Sequence, residues 1–328
     1  MRAAVYRSTG AARDVLRVED VPRPDPGPGE VLVRVHASGV NPTDHKTRAG
    51  ATGRPIDEFQ VPHHDGAGVI EAVGARVDLA RVGERVWVWL AAFGRRWGTA
   101  AEWTVVPARQ AVPLPDGVSF ELGASLGVPA LTAHRCLFAD GPVAGKAVLV
   151  AGGAGAVGHY AIELATYGGA RVASTVSTPE KAALAAKAGA DLVVNYRDAD
   201  AVEQLRAFAT SVRDRPEVDR VVEVALGANL GLDLALSGPS TVVVSYAADG
   251  QDPVLPVRAC MSANVTLRFV LLYGFPAAAL DAAVAGVSDA LAAGALTELP
   301  AHRFPLSEIV AAQEAAERGA VGKVIVTP

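Results

Sequence analysis

The sequence predicts an α/β protein in which a doubly wound parallel sheet is joined to a smaller β-rich domain. Between residues 147 and 272, apolar runs of strand length alternate with segments of helical period, the pattern of parallel strands with crossover helices. The first third instead contains short β-rich segments bounded by Pro and Gly, without long amphipathic helices. Two domains of different construction are therefore expected.

Composition limits the classes of function. The chain has 328 residues, 30 Lys and Arg against 35 Asp and Glu, and only two cysteines, Cys136 and Cys260. The length allows two substantial cores, and the charge balance offers no broad basic surface for nucleic acid or anionic lipid. The cysteine usage, and a start without the apolar core of a signal peptide, indicate a reducing cytoplasm. No apolar run approaches membrane-spanning length. We expect a small-molecule partner, and neither nucleic acid nor membrane.

The strongest functional signal is the glycine-rich turn after the strand predicted over 147–151. Gly153, Gly155 and Gly158 form the pattern G-x-G-x-x-G, and a helical segment follows them up to residue 167. The first glycine makes the turn, the second admits a pyrophosphate against bare backbone, and the third packs helix on strand. The helix N-terminus then favours the phosphates. Because strands and helices alternate from 147 to 195, we predict a dinucleotide-binding half of a Rossmann domain.

The other elements follow from periodicity and from capping or breaking residues at their ends. A helix over 119–126 is expected to be interrupted at 127–129 and to resume over 130–137, near a domain junction. Later strands are predicted over 169–176, 192–195, 218–224, 241–245 and 264–272, and later helices over 179–189, 229–236, 276–293 and 307–316. An extended segment over 301–305 precedes a terminal strand over 321–326, which needs a sheet to join. We therefore predict domains at 1–125 and 126–265, with 266–328 supplying the sixth strand and the return to the first domain.

The segment after the glycines also predicts which nicotinamide cofactor is used. An NAD enzyme places an acid at the end of the second strand, and residues 171–177 contain none. Ser177 can donate a hydrogen bond to a 2′-phosphate, and Lys181 can supply charge near a helix N-terminus. The alternative is that Lys181 is only a solvated helix residue. The pattern favours NADPH.

Several blocks of the chain resemble one known family. GVNPTD at 39–44, DGAGVIEAVG at 65–74, GERVW at 83–87, GTAAEW at 98–103 and GKV at 322–324 look like recurrent blocks of the medium-chain dehydrogenase/reductase superfamily. Within it, the chain is similar over essentially its full length to the zinc-free quinone oxidoreductases of the zeta-crystallin type. The resemblance implies a GroES-like catalytic domain from both chain ends, a Rossmann domain between them, NADPH in the cleft, and a homodimer.

The same resemblance bears on metal and reaction. Zinc-dependent relatives place a Cys where this chain has Asn41, and they carry a Cys-rich lobe that is absent here; His64 with Asp65 supplies too few ligands. We expect no metal. The implied activity is hydride transfer from NADPH to a quinone or an α,β-unsaturated carbonyl compound, which spreads the arriving charge itself. An enoyl reductase of a specific acyl or natural-product pathway and a non-enzymatic NADPH-binding protein are the alternatives.

Candidate site residues follow from the matched positions. Asn41 and Asp44 are expected to line the nicotinamide and substrate cleft, whereas the family's Tyr after this motif is missing and His45 or Lys46 could donate a proton, unless this is merely a solvated turn. The predicted catalytic residues are Asn41, Asp44 and Lys46. The residues that the resemblance implies for NADPH are Pro42, Thr132, Gly153, Gly155, Ala156, Val157, Gly158, Ser177, Lys181, Tyr196, Ser245, Leu271, Tyr273 and Lys323, with Arg197 as a further contributor.

The apolar sixth strand predicts the mode of assembly. Residues 265–272 lie late in the predicted sheet and would leave an exposed edge. Pairing this edge with its copy across a twofold axis would bury it. A homodimer is therefore expected.

Overall fold

The computed structural model describes residues 1–248, 250 and 252–328. The chain divides into two units, a terminal unit formed by Met1–Pro129 with Glu298–Pro328, and a middle unit formed by Ala130–Thr297. Within the described residues, the elements in chain order are β1 (Arg2–Val5), α1 (Ala12–Val15), β2 (Arg17–Asp20), β3 (Glu30–Val40), α2 (Pro42–Arg48), β4 (Asp65–Val73), β5 (Arg85–Val88), β6 (Trp103–Pro107), β7 (Ala111–Pro113), α3 (Phe120–Phe138), β8 (Ala147–Ala151), α4 (Ala156–Tyr167), β9 (Arg171–Val176), α5 (Pro179–Lys187), β10 (Leu192–Asn195), α6 (Ala201–Arg213), β11 (Arg220–Glu223), α7 (Leu226–Ala235), β12 (Val242–Ser245), α8 (Val257–Ala263), β13 (Thr266–Phe269), α9 (Ala277–Ala292), β14 (Ala301–Pro305), α10 (Ile309–Glu317) and β15 (Lys323–Thr327).

The terminal unit is built on the long strand β3. Its main sheet has the order β14-β15-β3-β4-β5-β7, with β6 also paired to β3, and β1 pairs with β2 separately. Strand β15 runs antiparallel to β3, with Val324 opposite Val40, so the last strand of the chain lies in the sheet of the first third. Helix α10 covers part of this sheet and buries Ile309 against a cluster that includes Leu306 and Val326.

The middle unit is a parallel sheet of the doubly wound type. Its strand order is β10-β9-β8-β11-β12-β13, with the first strand of the unit, β8, near the centre. Strand β8 is buried along its whole length, which explains its continuous apolar run. The order reverses at β8, and in such sheets ligands bind beyond the carboxyl ends of the strands near this reversal. The predicted fold class is confirmed.

Helix α3 differs from its predicted form. The interruption expected at 127–129 is wrong, because one helix runs from Phe120 to Phe138 with Pro129 inside it. Proline has no N–H to donate, and the neighbouring N–H of Val128 donates to a carboxylate oxygen of Asp65 at 2.8 Å. The fully buried Leu126 and Leu131 flank this point, and their packing favours a continuous helix.

The observed divisions of the chain, at 129/130 and at 297/298, differ from the predicted boundaries at 125/126 and 265/266. Strand β13 pairs with β12 in the parallel sheet, and α9 packs against α4. The backbone N–H of Thr297 donates to the carboxylate of Glu163 on α4 at 3.1 Å. These contacts keep the chain in the middle unit up to Thr297. No helix among the described residues has the length and apolar character needed to cross a membrane.

Candidate active site

The first candidate site lies where β3 ends and α2 begins. Pro42 opens α2, and the backbone N–H of Asn41 donates to Asp44 Oδ2 at 2.7 Å, which closes the first turn. The Asn41 amide joins two charged residues, because Nδ2 donates to Asp65 Oδ2 at 2.7 Å and Oδ1 accepts from Lys323 Nζ at 2.7 Å. All four side chains are buried. The pairing of β15 with β3 brings Lys323 to this point.

Two acids and one base share this buried cluster. Burial raises the pKa of Asp44 to about 8 and that of Asp65 to about 6, and Lys323 opposes both shifts. Burial lowers the pKa of Lys323, and both carboxylates oppose that shift. Asp65 is the carboxylate linked to Lys323 through Asn41, so these two charges balance each other. Asp44 is therefore the carboxyl that keeps its proton at neutral pH.

Asp44 also lines a pocket of about 430 Å³ within the terminal unit, together with Tyr6, Phe59, His63 and His64. Its Oδ1 accepts the backbone N–H of His64 at 3.1 Å. Burial lowers the pKa of both histidines to about 3 and raises the pKa of Tyr6 to about 12, so these side chains are neutral at pH 7. The polar side of the pocket can therefore donate hydrogen bonds without carrying an ion.

A chain of hydrogen bonds holds the imidazole ring of His63, whose backbone has the unusual φ of 77°. Gln313 Oε1 accepts from Arg48 Nε at 2.6 Å, so Nε2 of Gln313 is the donor to His63 Nε2 at 3.2 Å. The ring proton then lies on Nδ1, which donates to Ser38 Oγ at 2.9 Å, and Ser38 contacts Thr99 Oγ1 at 2.7 Å. The ring of His63 is therefore fixed in orientation and tautomer.

The second candidate site is the glycine-rich turn of the middle unit. A Cβ at Gly153 would lie 2.1 Å from Ser174 Oγ, and one at Gly158 would lie 2.4 Å from the carbonyl oxygen of Gly152, so only glycine fits at both positions. Gly155 caps α4, which begins at Ala156. The free N–H groups of the first turn, which includes Val157, suit a phosphate. The turn fits a dinucleotide.

Residues at the ends of β9 and β10 form the predicted phosphate corner. Lys181 Nζ donates to Ser177 Oγ at 3.3 Å, and Thr178 Oγ1 caps α5 by accepting the Lys181 N–H. Tyr196 adjoins this pair because its N–H donates to the carbonyl of Val176 at 3.2 Å. The guanidinium carbon of Arg197 lies 5.5 Å from the centroid of the Tyr196 ring. A cation and a hydroxyl thus meet here beside the backbone of Tyr196, and residues 171–177 contain no acid.

The remaining predicted site residues differ in exposure and do not line the pocket at Asp44. Lys46 and Pro42 are exposed on α2 and do not line the pocket, and His45 on the same helix is half-buried. Lys323, predicted to bind the cofactor, donates to Asn41. In the middle unit, Thr132 and Ser245 are buried, Tyr273 is half-buried and Leu271 is exposed.

Sequence reasoning missed most of the pocket lining, including Tyr6 and Arg54. Tyr6 follows β1, and its backbone N–H and carbonyl both bond to Gln60, which brings it to the pocket. Arg54 lies in the loop between α2 and β4. Neither belongs to a motif. The fold alone brings them to Asp44.

The donor set at Asn41 does not suit zinc. An amide replaces a thiolate, both of its polar atoms are bound within the protein, and one of them faces an ammonium group. Among the described residues, no three His, Cys, Asp or Glu side chains gather closely enough to hold a metal ion.

Comparison with known proteins places this geometry in a family. Residues 27–116 match the alcohol dehydrogenase GroES-like domain, and residues 156–287 match the zinc-binding dehydrogenase model. The chain is 30% identical to a quinone oxidoreductase of Lama guanicoe, over 98% of this chain and 96% of that protein.

Two solved structures cover the entire chain and are themselves covered entirely. A mycobacterial protein complexed with NADPH is 33% identical with a TM-score of 0.83, and an NAD-dependent alcohol dehydrogenase is 25% identical with a TM-score of 0.88. Both units thus match in sequence and in fold. The chain belongs to the zeta-crystallin-like quinone oxidoreductases of the medium-chain dehydrogenase/reductase superfamily, and it is an oxidoreductase that uses a nicotinamide cofactor.

Proposed function

We propose that the protein is a zinc-independent, NADPH-dependent reductase of quinones or α,β-unsaturated carbonyl compounds. The observation that carries this proposal is the Asn41 amide, which is bound on one side by Lys323 and on the other by Asp65. Because no Lewis acid is built at this position, the acceptor must spread the arriving negative charge through its own conjugation. Quinones and enones do so, whereas simple ketones do not.

Asp44 is the proton donor that the terminal unit offers. When bound, reduced nicotinamide supplies the hydride, and the substrate then needs one proton at its oxygen or α-carbon. Asp44 lines the pocket, and burial raises its pKa to about 8, which is close to the pKa that suits a general acid at neutral pH. After donation, the carboxylate keeps the N–H groups of Asn41 and His64 as hydrogen-bond donors. Solvent returns the proton.

The preference for NADPH is supported by the phosphate corner at Ser177, Lys181 and Tyr196. Charge-assisted hydrogen bonds contribute about 1.5 to 3 kcal/mol, so Lys181→Ala should raise the KM for NADPH by roughly tenfold to a hundredfold. NADH, which lacks the phosphate, should barely respond. Lys187→Ala, on the exposed last turn of the same helix, is the matched control. Equal losses with both cofactors would show that the phosphate lies elsewhere.

A panel of quinones and enones, assayed for NADPH consumption with and without a strong chelator, tests the activity itself. We expect turnover that survives chelation. Tight NADPH binding without any acceptor would favour the non-enzymatic alternative, and restriction to enoyl thioesters would favour the enoyl reductase. Alcohol oxidation with NAD⁺, lost together with stoichiometric zinc, would contradict the proposal.

The exposed edge of the middle unit supports the homodimer. Strand β13 pairs only with β12 in the described sheet, and Val257, Met261 and Phe269 on or near it are 64%, 71% and 68% exposed. A second copy paired along β13 would cover these side chains. A strictly monomeric mass at micromolar concentration would contradict this arrangement. The cytoplasmic location stays a prediction.

A further inference from the structure

The lining of the pocket also contains arginines. Arg54, Arg95 and Arg96 all line the cavity, and its remaining wall includes the apolar Ile56 and Phe59. Arginine beside apolar surface is typical of sites that recognise a planar anion, because the guanidinium presents several fixed N–H donors.

Two of these three arginines are neutralised within the protein. Arg96 pairs with Asp57 at 2.8 Å and with Glu58 at 2.9 Å, and Arg95 pairs with Glu30 at 3.2 Å. Both guanidinium groups therefore already face carboxylates of the protein. Arg95 and Arg96 therefore offer little electrostatic attraction to an anionic ligand.

Arg54 is different. Within the described residues it forms no ion pair, and its guanidinium carbon lies 4.1 Å from the centroid of the Phe93 ring. Stacking on a ring restricts the guanidinium while its in-plane N–H groups stay open. Its charge acts on the pocket, because burial and then the positive charge of Arg54 lower the pKa of His64. Arg54 is thus an oriented cation without an ion-pair partner among the described residues, and it lines a cavity of small-molecule size.

We propose that the substrate is a quinone or enone that carries an oxyanion, a carboxylate, sulfonate or phosphate group, which binds Arg54 while the conjugated carbonyl faces Asp44. This inference rests on the proposed function and specifies its substrate class. The apolar ring of the substrate lies against Ile56 and Phe59. The protein would therefore prefer such a substrate to a neutral quinone, which has no anionic group for Arg54 to bind.

The test compares 1,4-naphthoquinone with its 2-sulfonate in the wild type and in Arg54→Gln. Because the sulfonate also changes the reactivity of the ring, the measured quantity is the ratio of the two kcat/KM values, compared between the proteins. We expect Arg54→Gln to lower this ratio about tenfold, chiefly through the KM of the sulfonate, and added salt to lower it in the wild type. Arg54→Lys should keep part of the preference. Arg2→Gln, an exposed arginine of β1 outside the pocket, should keep all of it.

Calorimetric binding of naphthalene-2-sulfonate, which cannot be reduced, separates this inference from the proposed activity. If the wild type binds this probe and Arg54→Gln binds it about tenfold more weakly, the anion site stands even where neither quinone is reduced. If neutral quinone is reduced normally but the ratio and the probe affinity are unchanged by Arg54→Gln, the anion site is wrong and the reductase remains.

Discussion

Each of the two units buries a pair of carboxyl groups, and the two pairs are held in different ways. In the terminal unit, Lys323 lies with Asp44 and Asp65 and balances one of them through Asn41. In the middle unit, Glu223 and Asp233 are buried close enough for Glu223 to raise the pKa of Asp233, and no N–H or O–H group of the described residues donates to the Asp233 carboxyl. Two buried acids this close together, without a cation beside them, need a shared proton. A lysine thus balances the negative charge of the first pair, and a shared proton reduces the negative charge of the second.

The same raised pKa therefore has different meanings in the two units. Burial raises the pKa of Asp44 and of Asp233 to about 8 in each case. Asp44 lines a pocket and can give its proton to a substrate. The proton of Asp233 lies between two carboxyls, and Glu223 already accepts from the backbone of Ala225 and from Asn229. The comparison shows that a raised pKa indicates a catalytic acid only where a bound substrate can accept the proton.

The largest expected effect concerns the lysine. Lys323→Met leaves the Asp65 carboxylate without a counter-charge and Asn41 Oδ1 without a donor, and breaking a buried pair in this way costs about 3 to 5 kcal/mol of unfolding free energy. Urea unfolding at pH 7 measures the loss. The double variant Lys323→Met with Asp65→Asn removes both charges and should recover most of it. A loss below about 1 kcal/mol in the single variant would mean that Lys323 does not balance the pair.

The next effect separates proton donation from structure. Asp44→Asn keeps an oxygen to cap α2 but removes the acid, so kcat should fall about a hundredfold with a smaller change in KM. Asp233→Asn, the matched change in the other pair, should leave kcat unchanged. Similar losses of kcat in both variants would remove the distinction between the two pairs.

The smallest effect is on the pH dependence of stability. The folded pKa of Asp233 is raised from 3.8 to about 8, so the folded state holds a proton that the unfolded chain releases above pH 4. The contribution of this proton to the free energy of unfolding is fully present below pH 4 and is lost progressively as pH rises toward 8. The amide that Asp233→Asn introduces can donate to Glu223 at every pH. The variant should therefore flatten this decline and raise the free energy of unfolding by about 1 to 3 kcal/mol at pH 8. A decline as steep as in the wild type would contradict the shared proton.

The sequence predicted what local pattern determines. The alternation of strands and helices and the turn at Gly153 and Gly158 depend on neighbouring residues, so the parallel sheet could be predicted. The continuity of α3 could not, because a carboxylate from β4, Asp65, accepts an N–H beside Pro129. That contact is tertiary.

The candidate site was predictable only in part for the same reason. Asn41 and Asp44 stand in one motif, but Lys323 reaches Asn41 across 282 residues through the register of β15 on β3. The pair Glu223 and Asp233 leaves no signature in the sequence, because the turn after β11 decides whether the two acids meet. Long-range pairing, which propensity and periodicity do not report, determines both clusters.

The most direct test of the account is a titration of the aspartate side chains by ¹³C NMR between pH 4 and pH 10. The account predicts two carboxyls that titrate at about pH 8, one absent from Asp44→Asn and the other absent from Asp233→Asn, with Asp65 at about pH 6. Addition of a substrate analogue should shift the signal of Asp44 and leave that of Asp233 in place. Aspartates that all titrate below pH 5 would contradict it.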